Sequence, residues 1–185
     1  MPAIETERLK LRRFKLSDLG DFYDYSINPN VGPSAGWDYH RSREESLLLL
    51  NSFVNNNEVW ALELKDDSKV IGSIGINKDR KRDNKNARML GYVISENYWG
   101  LGYGTEATMA IVKYAFETLD LSILSAYHYP NNERSKRVIE KCGFTYEGML
   151  RCATITYDGR SCDDMCYSIT RDEYLSLIDR MDKSS

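Results

Sequence analysis

At 185 residues, with 42% hydrophobic and 29% charged side chains, the chain fits one globular domain over 1–185 with enough apolar material for a sizeable core. Its net charge of −3 argues against nucleic acid as the main partner, and the basic clusters at 8–15 and 78–85 read as solvated faces balanced by acids elsewhere. No apolar run approaches the roughly 20 residues of a membrane helix, and the opening MPAIETERLKLRRF carries no signal-type segment, which points to a cytoplasmic protein without membrane contact.

Residues 6–14, TERLKLRRF, alternate well enough for a first strand, with Leu9 and Leu11 on one face. Ser17 is placed to cap a helix over 18–28, with Asp18 and Asp21 favourable in its first turn and Pro29 closing it. The run SREE at 42–45 matches a capping box, in which the Ser42 hydroxyl accepts from the Glu45 amide and Glu45 reaches back. The helix that follows, 43–55, is expected to bury Leu47, Leu50 and Val54. VWALELK (59–65) and KVIGSIGIN (69–77) are strand-like and joined by a polar turn at 66–68, which reads as a hairpin. A charged loop at 78–86 precedes a third such run, ARMLGYVIS (87–95).

The stretch NYWGLGYGTEA then leads into a helix over 103–119, with Ala107, Ile111, Tyr114, Ala115 and Leu119 on one face. LSILSAYHY (121–129) is again strand-like. Asn132 suits the N-cap of the next helix, Val138 and Ile139 face the core, and Gly143 suits its C-terminal stop. Two strands, 145–156 and 162–170, flank the turn Asp158-Gly159, and a tail helix over 172–181 ends the chain. The order β α α β β β α β α β β contains a crossover unit, so the class is α+β or α/β with a mixed sheet.

Cys142, Cys152, Cys162 and Cys166 sit late in the chain, and only Cys162-x-x-x-Cys166 approaches ligand spacing. Without a secretory signal they read as reduced core or near-surface thiols, and isolated His40 and His128 add no metal cluster.

Gly100, Gly102 and Gly104 stand on alternate positions just before a helix. A phosphate-binding P-loop needs a lysine before Thr105, and none is there. The dinucleotide fingerprint needs a different glycine spacing, after the first strand of a doubly wound unit. Two readings remain open. One is a simple glycine-rich turn, and the other is an anion site built from backbone amides at a helix start, where a pyrophosphate could lie.

LGYVISENYWGLGYGTEA resembles the acyl-CoA-binding motif of the GNAT superfamily of N-acetyltransferases, in the form found in ribosomal-protein N-terminal acetyltransferases of the RimJ/RimL type. ETERLKLRRF is similar to the opening strand of that subgroup, and NNERSKRVIEKCGFTYEGMLR to its Asn-x-x-Ser and Glu-Lys-x-Gly-Phe segment. YDGRSCDDMCYSITRDEY is similar to its closing Gly-x-x-x-Asp-x-x-x-Tyr strand. Together the four matches, in register, span nearly the whole chain.

The resemblance implies the GNAT fold, with a mixed sheet of about seven strands, about four flanking helices, and fourth and fifth strands splayed into a V. It assigns 87–95 and 121–128 to the V, with backbone groups of Tyr92, Val93 and Ile94 holding the pantetheine of acetyl-CoA. Amides over Leu101, Gly102, Tyr103, Gly104 and Thr105 would hold the pyrophosphate. Trp99 matches the Trp-Gly of the subgroup. Asn132, an N-cap by position, would contact pantetheine or acceptor, and Ser135 would stabilise the leaving thiolate and act as general acid. Many relatives carry a tyrosine at the position of Ile139, and some RimL-like sequences a glutamate at that of Thr154. The base is therefore left among Glu96, Glu147, Asp163 and a water chain.

The implied function is direct acetyl transfer from acetyl-CoA to a primary amine in a ternary complex, without metal or covalent enzyme intermediate. The expected acceptor is a ribosomal or other protein N-terminus, and the alternatives are a small amine (polyamine, amino sugar or antibiotic) or a CoA-binding module without catalysis. The segment 28–40 is expected to wall the acceptor site through Trp37, Tyr39 and His40. The protein would act as monomer or homodimer.

Overall fold

Alternation in the first strand-like run sets Leu9 and Leu11 at zero exposure on one side of a five-residue strand, Leu9–Arg13 (β2). A shorter strand, Ile4–Glu5 (β1), pairs with it through Ile4 and Leu11. The computed structural model describes residues 1–56 and 58–183. Beyond β2 the strands are Val59–Leu64 (β3), Val70–Lys78 (β4), Ala87–Ile94 (β5), Ile123–His128 (β6), Thr145–Ile155 (β7) and Ser161–Thr170 (β8). They form one sheet of eight in the order β1-β2-β3-β4-β5-β6-β8-β7. Neighbours run antiparallel except β5 and β6, which are parallel.

The helices are Leu19–Ser26 (α1), Gly32–Ala35 (α2), Arg43–Asn56 (α3), Tyr103–Glu117 (α4), Glu133–Lys141 (α5) and Arg171–Asp182 (α6). One face of the sheet packs on α4, α5 and α6, through Ala107, Ile111, Phe116, Ile139 and Tyr174. The other packs on α1, α2 and α3, through Phe22, Tyr25, Val31 and Leu50. The class is the expected mixed α+β fold, but β1 makes eight strands instead of seven, and six helices are described where about four were expected. The splayed pair is accordingly the fifth and sixth strand.

Local differences have clear causes. Ser17 lies inside a 3-10 turn over Leu16–Asp18 and does not cap a helix. Asp18 stands at the N-cap position of α1 but turns its side chain back: one oxygen accepts from the Lys15 amide at 2.8 Å, and the Arg12 guanidinium grips both oxygens at 2.8 and 2.9 Å. A buried carboxylate requires such partners. Glu45 donates its amide to Ser42 but accepts from the Arg41 amide, so the capping box closes one residue early. Leu47 is 36% exposed because the inward stripe of α3 runs through Ser46 and Leu50 instead. Leu119 is exposed as well, since α4 ends at Glu117.

Candidate active site

The parallel ladder between β5 and β6 runs from Ala87 and Ile123 to Leu90 and Ala126 and then stops. Both strands continue, β5 to Ile94 and β6 to His128, so they part into a V. The Ser95 amide donates to the Ile71 carbonyl at 2.7 Å, and the Val93 carbonyl lies so near Gly72 that a Cβ there would sit 2.2 Å from it. Those groups face β4. Peptide groups alternate along a strand, so those of Tyr92 and Ile94 are turned into the V. The Trp99 indole donates to the Ile94 carbonyl at 2.7 Å. The expectation for Val93 is thereby corrected: its main chain serves the sheet, and its side chain lines the cleft.

The cleft around the V has a volume of about 690 Å³ and reaches both faces of the sheet. On the α4 and α5 face it meets the glycine loop. Gly100 and Gly102 have φ of 78° and 89°, a left-handed conformation that side chains resist. Gly104 is different. A Cβ there would lie 3.4 Å from Tyr92 and 3.5 Å from Val138, ordinary contact distances, so α4 packs on β5 and α5 with room for a methyl group. No side chain caps the start of α4 at Gly102, leaving first-turn amides beside the cleft where an anion is favoured. Arg134, Arg137 and Lys141 of α5 line the same side. Leu101 and Tyr103 point away, the latter under the Arg8 guanidinium at 4.3 Å.

Asn132 caps α5, its Oδ1 accepting from the Ser135 amide at 3.1 Å. Its Nδ2 donates to the Ser34 carbonyl at 2.9 Å, tying α5 to α2 across the cleft. Ser135 and Tyr92 line the cleft together; burial pushes the Tyr92 phenol up to about 12 although Ser135 pulls it down. Two neutral hydroxyls therefore line the cleft at pH 7. The sequence pointed only to the backbone of Tyr92.

The opposite face holds α2. Val31, Ser34 and Ala35 line the cleft there, whereas Trp37, Tyr39 and His40 do not. Gly36 turns left-handed at φ 94°, with the Tyr129 hydroxyl 2.7 Å from where a Cβ would be, and sends the chain away. His40 is drawn inside, its Nδ1 2.6 Å from the Ser46 hydroxyl, and burial lowers its pKa. Trp37 packs on His40 at 5.3 Å, and Tyr39 under Arg41 at 4.0 Å. Of the segment 28–40, the residues that line the cleft are therefore nearer its start than Trp37, Tyr39 and His40.

The proposed bases are held elsewhere. Glu96 accepts from Asn30 and Asn28, at 3.0 and 2.8 Å; these bonds lower its pKa and hold it outside the cleft lining. Glu147 is bound to Arg82 and Ser168, and Asp163 to the Cys152 amide. Thr154 donates to Asp164 at 2.8 Å, and Asp164, unlike those three, lines the cleft. Among the described residues no group of three or more His, Cys, Asp or Glu side chains is arranged to hold a metal ion.

A family model described as Acetyltransferase (GNAT) domain matches residues 8–145. The chain is 29% identical over 175 residues to the Uncharacterized N-acetyltransferase YoaA of Bacillus subtilis, covering 92% of this chain and 97% of that protein. It superposes on an acetyltransferase of Bacillus anthracis with a TM-score of 0.83 at 24% identity, covering 92% of this chain and 99% of the other. A ribosomal-protein-S5-alanine acetyltransferase of Vibrio fischeri gives a TM-score of 0.72 at 24% identity, covering 93% and 98%. At those identities the two structures bear on fold alone.

Proposed function

The chain belongs to the GNAT family of acetyltransferases, and we propose that it moves the acetyl group of acetyl-CoA to the amine of a protein or peptide N-terminus, as RimJ/RimL-type enzymes do. The observation that carries this reading is the V between β5 and β6, which opens one cleft to both faces of the sheet. A thioester entering from one face can meet an amine entering from the other without a covalent enzyme intermediate.

On the α4 and α5 face, amides from Gly102 to Thr105 would hold the pyrophosphate, with Arg134, Arg137 and Lys141 adding charge. The peptide groups of Tyr92 and the amide of Ile94 would pair with the pantetheine as a partial strand, and the Tyr92 amide would steady the carbonyl oxygen during attack. Ser135, beside the Tyr92 phenol, would donate to sulfur as the thiolate leaves. Asn132 acts through its bonds to Ser34 and Ser135, shaping the cleft.

Arg134, Arg137 and Lys141 lie on the CoA side of the cleft, so the choice of a peptide acceptor rests on the RimJ/RimL-type motifs of the sequence and not on charge. A ribosomal acceptor would set the reaction in the cytoplasm. The test is acetyl-CoA-dependent thiol release with serine- and alanine-initiated peptides, polyamines and aminoglycosides. Turnover confined to peptides is expected. Turnover confined to small amines would overturn the acceptor, and CoA binding with no turnover would leave a non-catalytic module.

A further inference from the structure

The side chains of β8 alternate between faces: Met165, Tyr167 and Ile169 join the core beneath α4 to α6, so Asp164, Cys166 and Ser168 belong to the other face. The β6–β8 ladder ends with His128 opposite Met165, which sets Asp164 just past the end of β6, at the open end of the V. There it lines the cleft, with 1% of its surface exposed. Ser135 stands on the α5 side, so a carboxylate and a hydroxyl donor flank the V from opposite faces.

The partners of Asp164 sit on one of its oxygens. Lys81 Nζ lies 2.7 Å and the Thr154 hydroxyl 2.8 Å from Oδ2. Among the described residues, no hydrogen bond to Oδ1 occurs, which leaves that oxygen to a ligand in the cleft. Lys81 satisfies the buried charge, and Thr154 donates its hydroxyl to the acid from the neighbouring strand. The other titratable groups facing Asp164 are Tyr129 after β6, Cys162 and Cys166 on β8, and Arg80 from the loop after β4.

We propose that Asp164 receives the ammonium group of the acceptor at Oδ1 and takes its proton, the step that turns an inert ammonium into a nucleophile. This assignment rests on the acetyl-transfer reading. The proton taken by Asp164 passes to cleft water. The freed nitrogen lone pair then forms the N–C bond, the C–S bond breaks, and the nitrogen's second departing proton ends on sulfur. The products are the amide, CoA thiol and one proton in solution.

The experiment compares the full chain with Asp164→Asn and Lys81→Met, using a serine-initiated tetrapeptide amide as acceptor. Acetyl-CoA affinity in Asp164→Asn should stay within about twofold of the unaltered chain, while kcat/KM for the peptide falls about 100-fold at pH 7. The deficit should shrink as pH rises past about 8, where an α-amine arrives already neutral. Lys81→Met, which breaks the same ion pair but keeps the carboxylate, should retain peptide turnover within about tenfold. Equal losses in both variants, or a deficit that does not change with pH, would make the pair structural and overturn the assignment. If the unaltered chain turns over no amine, acetyl transfer itself fails, and tetrapeptide binding to the CoA-loaded protein decides the rest. Binding lost in Asp164→Asn alone upholds Asp164 as the ammonium site; equal or absent binding in both overturns it.

Discussion

Arg8 reaches from the start of β2 to the first turn of α4, where its Nε and Nη2 both lie 2.7 Å from Glu106. A third donor, Nη1, binds the Leu101 carbonyl at 2.9 Å, so one side chain holds the glycine loop to the helix that follows it. Burial alone would raise the Glu106 pKa, but the Thr6 hydroxyl, the Arg8 amide and the Arg8 side chain outweigh it, and the net shift is downward.

A carboxylate with a depressed folded pKa contributes stability above its unfolded value and loses it as pH falls through the folded one. Glu106→Gln should therefore destabilise by about 2 kcal/mol at pH 7. The gap from the unaltered chain should close as pH drops below 4.5 and through the lowered value. Thermal melts of both proteins from pH 7 to 3 measure this. A gap that stays constant with pH would mean that Glu106 acts through shape and not charge.

The glycine loop allows a paired comparison. Gly102→Ala forces an alanine to φ 89° and should cost about 1–2 kcal/mol, with a parallel fall in acetyl-CoA affinity. Gly104→Ala places a Cβ at ordinary contact distance, 3.4 Å from Tyr92, within helical backbone. It should fold with no loss, or a gain of up to about 1 kcal/mol. Equal losses from the two substitutions would show that the loop conformation is not set by Gly102.

Ser135→Ala should lower the rate of the chemical step more than acetyl-CoA affinity, by about 10-fold or more. Tyr92→Phe removes the neighbouring hydroxyl and should give a smaller loss in the same direction. Single-turnover rates at saturating acetyl-CoA separate the two quantities. If affinity fell and the rate per bound complex did not, Ser135 would be structural.

Asn132→Ser keeps a capping oxygen but gives up the bond to the Ser34 carbonyl, whereas Asn132→Ala loses both. The alanine variant should cost about 1–2 kcal/mol and the serine variant much less. Both should loosen α2, which faster amide exchange over Gly32–Ala35 would reveal. Unchanged exchange in both would mean that α2 is held without Asn132.

Much of the fold could be read from local pattern. Asn132 as a cap, Gly143 in a left-handed C-terminal turn at φ 84°, and the two central hairpin strands all stand where periodicity and turn chemistry put them. The site was less legible because long-range placement decides it. Asp164 became visible only once β8 was aligned on β6, since alternation gives a face and register gives a position along it. Trp37, Tyr39 and His40 were drawn off by Gly36 and Ser46, neither of which marks a binding wall in one dimension. Asp18 displaced Ser17 through Arg12, a partner on the preceding strand.

Among the described residues, the four paired positions that join β5 to β6 are also the only ladder linking the first five strands to the last three. The sheet thus has a seam. Opening along it breaks less hydrogen bonding than opening between β4 and β5, whose register covers seven pairs. A molecule that bonds to the peptide groups of Tyr92 and the amide of Ile94 lengthens the joint and resists that opening, which would slow amide exchange on both sides and raise the melting temperature. For as long as it stays, such a ligand is part of what holds the two halves of the protein together.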